Sequence, residues 1–221
     1  LKEDSLTVVV KTSSFIEFLS NLLSKNIFKK HEREAIYILS LSENEKLDYS
    51  KIRDVKSLEK YKNLISAQEL SSLLSKGGLT AHFQPILDVK TNTIYGYETL
   101  ARGVNEDGTL VYPDKLFTWA KDGDMLFYLD RACRESSLKT AAIKNIRAKV
   151  FINFIPTAIY DPNHCLQSTV KWAKSLEFDP KNVIFEVVES ENIEDIEHLK
   201  NILNFYKSKG FMVALDDVGS G

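Results

Sequence analysis

Short apolar segments alternate with longer amphipathic segments over the last third of the chain. Apolar runs at 149–153, 182–189 and 211–217 begin roughly 30 residues apart, a spacing typical of β-α-β units with a crossover helix. Before the last run, apolar residues at helical spacing predict an amphipathic helix that ends at 207–210, with the stripe Ile193, Ile196, Leu199, Ile202, Leu203 and Tyr206. Such strands and crossover helices form a parallel sheet. The pattern therefore predicts an α/β fold, either an open sheet or a closed barrel.

Two further strand-like runs precede this alternation, at 81–89 and 93–100. The polar residues Lys90, Thr91 and Asn92 separate them, which predicts an antiparallel hairpin. Together with the three later runs, the hairpin gives five predicted strands for the main sheet.

The first part of the chain has a different pattern and predicts a small α/β segment over residues 1–65. Strands are expected at 6–10 and 35–41, and the pair Ser14 and Glu17 has the spacing of a capping box that opens a helix. A second such pair, Ser66 and Glu69, predicts a short helix that ends at 76–78. The domain boundary is placed just before Ser66, so that residues 66–221 form the second unit.

The composition of the chain argues against several classes of protein. The 221 residues include 29 Lys and Arg against 31 Asp and Glu, a net charge of −2, which argues against a protein that binds duplex DNA or RNA through a basic surface. No apolar run approaches the length of a membrane span, and no signal peptide is evident. Cys133 and Cys165 lack metal-site spacing and predict two reduced cysteines of a cytoplasmic protein.

Oxygen-bearing side chains gather where the predicted strands end. The residues are Glu98, Asn153, Glu186, Glu189, Asp216 and Asp217. In a β/α barrel the carboxyl ends of the strands form the rim on which catalytic residues meet. Carboxylates that approach one another repel unless a cation lies between them, and hard oxygen ligands suit Mg²⁺ or Mn²⁺. Any one of these residues alone is better explained as a helix cap or a surface acid; together they predict a metal site.

The chain also carries five short motifs in a fixed order. They are Gln84-Pro85-Ile86, Glu98-Thr99-Leu100-Ala101-Arg102, Asn153-Phe154-Ile155-Pro156, Glu186-Val187-Val188-Glu189 and Asp216-Asp217-Val218-Gly219-Ser220-Gly221. These motifs resemble those of the EAL domain, a family of bacterial cyclic-di-GMP phosphodiesterases. The resemblance covers about residues 66–221. It implies a TIM-like β/α barrel whose first strand is antiparallel, and a cytoplasmic role in second-messenger signalling.

The resemblance also implies a role for each matching residue. Two divalent cations, Mg²⁺ or Mn²⁺, would be held by Glu98, Asn153, Glu186, Asp216 and Asp217. Asp217 and Glu98 would be catalytic, in an attack of metal-activated water that opens cyclic-di-GMP to linear pGpG. Gln84, Leu100 and Arg102 would contact the nucleotide, with Arg102 on a phosphate, and Glu189 would steady the last loop. Asp130 either shapes the rim or is a surface partner for Arg134.

The sequence departs from the family pattern in three ways. Thr99 replaces the usual alanine, and Val218 stands where the family usually has phenylalanine. The chain also reaches Gly221 after five of the eight barrel strands, before the family's late lysine and glutamate. Five strands leave open sheet edges, so we expect that the sequence continues, that it was cut, or that the chain forms a homodimer. The chain alone is expected to be inactive. The alternative function is a degenerate EAL domain that binds the nucleotide or a partner without cleavage; an unrelated sugar- or aldol-processing barrel is disfavoured.

Overall fold

A computed structural model describes residues 8, 14–41, 49–188 and 195–216. Within these residues the α-helices are α1 (Phe15–Ser24), α2 (Lys30–Ala35), α3 (Leu58–Ser75), α4 (Pro113–Asp122), α5 (Leu126–Ile143), α6 (Pro162–Cys165), α7 (Gln167–Ser175) and α8 (Ile196–Ser208). The strands are β1 (Tyr37–Ile38), β2 (Lys56–Ser57), β3 (Leu79–Asp88), β4 (Thr93–Val104), β5 (Leu110–Val111), β6 (Lys149–Phe154), β7 (Val183–Val188) and β8 (Met212–Asp216). Short 3-10 helices occupy Tyr49–Asp54, Pro156–Ala158 and Pro180–Asn182.

The main sheet of the described residues has the order β3-β4-β6-β7-β8, and β5 pairs with β4. Strands β3 and β4 are antiparallel, whereas β4, β6, β7 and β8 are parallel to one another. The five predicted strands are thus confirmed. In the described part of the chain the sheet does not close on itself, because β3 and β8 have no sheet partner on their outer sides.

The hairpin turn follows from its sequence. The Asp88 carboxylate accepts hydrogen bonds from the backbone N–H groups of Lys90 and Thr91, at 2.8 and 3.4 Å. Asn92 has a φ of +52°, the left-handed conformation that asparagine tolerates better than most residues. This local chemistry reverses the chain between β3 and β4, as the sequence predicts.

One face of the sheet is covered by helices and forms the core. Alternate residues of β6 and β7 are buried there, among them Ile152 and Phe185, and they pack against residues of α8 such as Tyr206, whose ring stacks on Phe185 with centroids 3.8 Å apart. The period of two along a strand sends the intervening side chains to the opposite face. That second face carries the polar residues at the strand ends.

Helix α3 differs from its prediction. It begins at Leu58 rather than Ser66, and the Ser57 hydroxyl accepts the backbone N–H of Lys60 at 3.2 Å as its cap. Ser66 lies buried inside the helix, where its hydroxyl donates to the Asp122 carboxylate of α4 at 3.2 Å. The capping box predicted at Ser66 is therefore wrong, because tertiary packing against α4 uses the serine. The boundary before residue 66 remains a prediction and falls within this continuous helix.

The N-terminal segment is confirmed in part. Helix α1 begins directly after Ser14, but the Ser14 side chain makes no capping bond, so that capping box is also wrong. The strand predicted at 35–41 shrinks to β1, which pairs antiparallel with β2. Of the strand predicted at 6–10, only Val8 belongs to the described residues, so this prediction lies outside them. A small core of Leu19, Leu58 and Tyr61 joins α1 to the first half of α3.

Candidate metal and nucleotide site

The sequence-predicted residues that the structure describes lie on one face of the sheet. In the β3–β4 ladder Gln84 is directly opposite Glu98, and the alternation along β4 adds Leu100 and Arg102 to the same face. In the parallel ladders Asn153 neighbours Glu186, which neighbours Ala214, two residues before Asp216. All seven residues therefore share the face that the helices leave uncovered. Asp217 and Glu189 lie outside the described residues.

A direct hydrogen bond joins two of the predicted metal ligands. The Asn153 side-chain Nδ2 donates to Glu98 Oε1 at 2.9 Å, across the β4–β6 pair. The other polar atom of the amide, Asn153 Oδ1, is buried without a hydrogen-bond partner among the described residues. A buried carbonyl oxygen that lacks a partner is costly. Its position beside a carboxylate is the arrangement that a hard cation would satisfy.

Glu186 is the most perturbed acid of the site. Its side chain is nearly buried, and burial raises its pKa to about 7, with further increases from the negative charges of Asp216 and Glu98. The carboxyl group of Glu186 therefore lies close enough to those of Asp216 and Glu98 to interact with them electrostatically. Gathering like charges without a counterion is unfavourable, so the protonated form of Glu186 relieves part of the repulsion.

The donor set fits a hard divalent cation in its chemistry. All its members are carboxylate or amide oxygens, which suit Mg²⁺ or Mn²⁺. In the described part of the chain no group of three or more His, Cys, Asp or Glu lies close enough together to hold an ion. Asn153 is not among those residue types, and Asp217 is outside the described residues. The described carboxylates are therefore near enough to interact electrostatically, but no three of them lie together as the ligands of one bound ion would.

The guanidinium of Arg102 makes two contacts that hold it in place on this face of the sheet. Its Nη1 donates to the Ala101 carbonyl at 2.7 Å, and its guanidinium lies 5.3 Å from the centre of the Tyr112 ring. Arg102 Nε is buried without a hydrogen-bond partner in the described residues. The aromatic contact restricts the guanidinium while leaving donor capacity for an anion. Sequence reasoning missed Tyr112, whose only signal is its place before Pro113 at the start of α4.

Thr99, the departure from the usual alanine, points away from the site. Its hydroxyl donates to the Phe151 carbonyl at 2.8 Å, and the residue is buried on the helix-covered face. This bond adds a side-chain link between β4 and β6. The substitution therefore acts on the sheet and leaves the ligand set unchanged.

A groove on the described surface lies elsewhere. It has a volume of about 480 Å³ and lies between the segment at 160–163 and α8, with Asp161, His198 and Asn204 among its lining residues. None of the predicted site residues lines it. The chemistry of the strand ends, and not the size of a cavity, locates the candidate site.

Comparison with known proteins places the chain in a family. Residues 67–221, more than half of the chain, match the EAL domain. The chain belongs to the EAL domain family. The TIM-like fold and the family resemblance predicted from the sequence are thereby confirmed.

The relatives of this EAL domain include enzymes and nucleotide complexes. A probable cyclic di-GMP phosphodiesterase of Escherichia coli, PdeG, is 26% identical over 74% of this chain and 33% of its own length. A standalone versatile EAL protein of Vibrio cholerae in its c-di-GMP-bound form is 37% identical, with a TM-score of 0.55 over 65% of this chain and 58% of that one. A manganese and cyclic-di-GMP complex of Klebsiella pneumoniae BlrP1, 20% identical, shares the fold with a TM-score of 0.56 over 65% of this chain and 36% of that one.

The EAL chain spans about a third of PdeG and less than two thirds of the Vibrio cholerae structure. Among the described helices, none is both long and apolar enough to cross a bilayer. Both cysteines, Cys133 and Cys165, are buried and form no disulfide.

The raised pKa of Glu186 predicts how stability changes with pH in metal-free protein. Because the folded-state pKa of about 7 exceeds the ordinary value of 4.5, the folded state holds an extra proton between these values, and the free energy of unfolding falls as pH rises through them. Glu186→Gln should abolish this dependence and stabilise the fold at pH 8 by about 1–3 kcal/mol. Urea unfolding at pH 5 and pH 8 measures both effects. The exposed control Glu197→Gln should keep the wild-type pH dependence; a Glu186→Gln protein that also keeps it contradicts this assignment.

Proposed function

We propose that the intact protein hydrolyses cyclic-di-GMP to linear pGpG with two divalent cations, Mg²⁺ or Mn²⁺, in bacterial second-messenger signalling. The observation that carries this proposal is the hydrogen bond from Asn153 to Glu98, which leaves the amide oxygen of Asn153 buried without a hydrogen-bond partner among the described residues. In the adjoining strand, Glu186 is the register partner of Asn153. The names of PdeG and the Vibrio cholerae complex support the same substrate class.

In this proposal Glu98, Asn153, Glu186 and Asp216 hold the cations, together with Asp217. Bound divalent cations lower the pKa of water and stabilise the oxygen that leaves a phosphodiester. The amide of Asn153 orients Glu98 through its Nδ2, which leaves Oδ1 for coordination. Asp217 and Glu98 are the catalytic residues, serving the cations and the water that they activate, and Glu189 has a loop-stabilising role.

The nucleotide-binding half of the proposal rests on β3 and β4. Arg102 would pair with a phosphate, because its guanidinium is held against Tyr112 and retains unpaired donor capacity. Gln84 is exposed opposite Glu98 and would contact a guanine edge. Leu100 lies between Glu98 and Arg102 on the same face and would contact the ligand through its apolar side chain.

A second candidate function is a nucleotide receptor without catalysis. The observation that favours it is that the described carboxylates are not gathered into an ion-binding group. The two cysteines, buried and without a disulfide, agree with a reducing cytoplasm for either function.

Calorimetric titration with cyclic-di-GMP, with and without Mn²⁺, tests the proposal on this chain. Wild-type protein should bind, and Arg102→Met should weaken binding by about tenfold to a hundredfold, because a charge-assisted phosphate contact is lost. The matched surface variant Arg131→Met should bind like wild type. Chromatography of the same mixtures detects pGpG, whose formation would identify an enzyme. Because this chain alone is expected to be inactive, the same assay on the intact protein separates the two functions: binding there without pGpG identifies a receptor. Equal affinity of Arg102→Met and wild type would contradict the assigned site.

A further inference from the structure

The sheet stops supporting β6 just beyond the metal-ligand candidate Asn153. Pairing of β6 with β4 ends at Ile152, and pairing with β7 ends at Phe154. Asn153 therefore lies where the strand has already lost one of its two neighbours. Beyond Phe154, the backbone N–H of Ile155 has no strand to pair with. Its hydrogen-bond acceptor must therefore lie outside the sheet.

The acceptor is a buried carboxylate of helix α5. Asp130 Oδ1 accepts the Ile155 N–H at 2.9 Å. The second oxygen, Asp130 Oδ2, forms an ion pair with Arg134 one helical turn along. The sequence offered a rim-shaping role or a surface pair for Asp130; the pair exists, but it is buried.

Arg134 is fully buried and fixes the carboxylate in turn. Its Nε donates to the Thr169 hydroxyl of α7 at 3.2 Å, so the pair joins α5, α7 and the segment after β6. Burial lowers the pKa of Arg134, an effect that the surrounding Tyr206, Glu135 and Cys165 oppose. Two charges withdrawn from water are a poor source of stability, since apolar residues of similar size often do as well. A specific task for the Asp130 oxygen is a better explanation of the pair.

We propose that Asp130, held in place by Arg134, is a positioning residue that fixes the end of β6 and thereby the amide of Asn153 against Glu98. The inference rests on the proposed function for the role of Asn153 as a metal ligand. The geometric part stands on the described contacts alone. One oxygen anchors the backbone two residues beyond Asn153, where the sheet provides no anchor.

Two double variants isolate that oxygen. Asp130→Leu/Arg134→Met removes both charges and the acceptor for Ile155 N–H, while keeping side chains of similar shape. Asp130→Asn/Arg134→Met also removes both charges but keeps an amide oxygen that can accept the same N–H. The control is Glu197→Met/Lys200→Met, which removes a solvent-exposed ion pair of helix α8.

The measurements are NMR hydrogen exchange of the Ile155 amide, the side-chain amide resonance of Asn153, and Mn²⁺ affinity by electron paramagnetic resonance. The leucine variant should exchange Ile155 at least about tenfold faster, shift the Asn153 resonance, and weaken Mn²⁺ binding by about tenfold to a hundredfold. The asparagine variant should restore the first two readouts towards wild type, and the Glu197/Lys200 control should change none of the three.

Wild-type values of Ile155 exchange and Asn153 resonance in the leucine variant would overturn the positioning role, as would failure of the asparagine variant to restore them. Should the leucine variant not unfold cooperatively, Asp130→Ser/Arg134→Met replaces it, since serine is too short to reach Ile155. If the variants show the expected amide effects but wild-type protein binds no Mn²⁺, the positioning role is supported; absence of Mn²⁺ binding in the intact protein as well would contradict the proposed metal-dependent function. Unchanged Mn²⁺ affinity in the leucine variant would overturn the link to the metal site.

Discussion

Arg134→Ala is expected to lower the free energy of unfolding by about 3–5 kcal/mol. The substitution leaves the carboxylate of Asp130 buried with no positive partner, and it also removes the bond to the Thr169 hydroxyl. Burying a charge without a counterion costs far more than the intact pair contributes, so the single change should be worse than the double apolar replacement.

Urea unfolding followed by circular dichroism measures this loss. The matched control is Arg131→Ala on the same helix, which removes an i,i+4 pair with Glu135 whose arginine is exposed. Water screens an ion pair whose arginine is exposed, so the control should lose much less stability than Arg134→Ala. Equal losses of unfolding free energy in Arg134→Ala and Arg131→Ala would contradict the dependence of the buried Asp130 carboxylate on Arg134.

Glu98→Gln is expected to weaken Mn²⁺ binding at least about a hundredfold. Substitutions outside the ligand sphere of a metal already cost about 10–100-fold, and a direct ligand should cost no less than the upper value. Glutamine keeps the length of the side chain and an oxygen that can still accept the Asn153 N–H, so the fold should be retained. The substitution removes the negative charge of the side chain, which attracts the divalent cation.

Electron paramagnetic resonance of free Mn²⁺ during a titration measures the affinity directly. Glu197→Gln is the control, because it removes an exposed carboxylate of α8 whose partner is Lys200. Removal of the metal with EDTA should abolish the difference between wild type and Glu98→Gln in any ligand-binding assay. Wild-type Mn²⁺ affinity in Glu98→Gln would contradict the placement of Glu98 in the ligand set.

The strands could be predicted because their signal is local. Each of the five strands of the main path is a short apolar run at a predicted place, and the hairpin turn follows from Asp88 and Asn92. The helix starts at Ser14 and Ser66 were predicted from the same kind of local signal, yet neither serine caps its helix. Ser66 satisfies its hydroxyl on Asp122, a residue 56 positions away that no capping pattern can reveal.

For the candidate site, too, some features could be predicted from the sequence and others could not. The sequence predicted that Glu98, Asn153, Glu186 and Asp216 gather at strand ends, and the period of two does place them on one face of the sheet. Glu98, however, lies inside β4 rather than at its end, because this strand continues to Val104. It did not find the ring of Tyr112 against Arg102, or the bond from the Thr99 hydroxyl to the Phe151 carbonyl.

The sequence by itself determined the family, the order of the strands and the residue types at their ends, since these depend on periodicity and on motifs written along the chain. The tertiary structure alone decided which of those side chains are held, and by what. The Asp130 oxygen meets Ile155 N–H only because α5 packs against the end of β6 and because Arg134 is buried with it. Such contacts depend on how helices settle on the sheet, where close packing allows only a few arrangements of neighbouring groups.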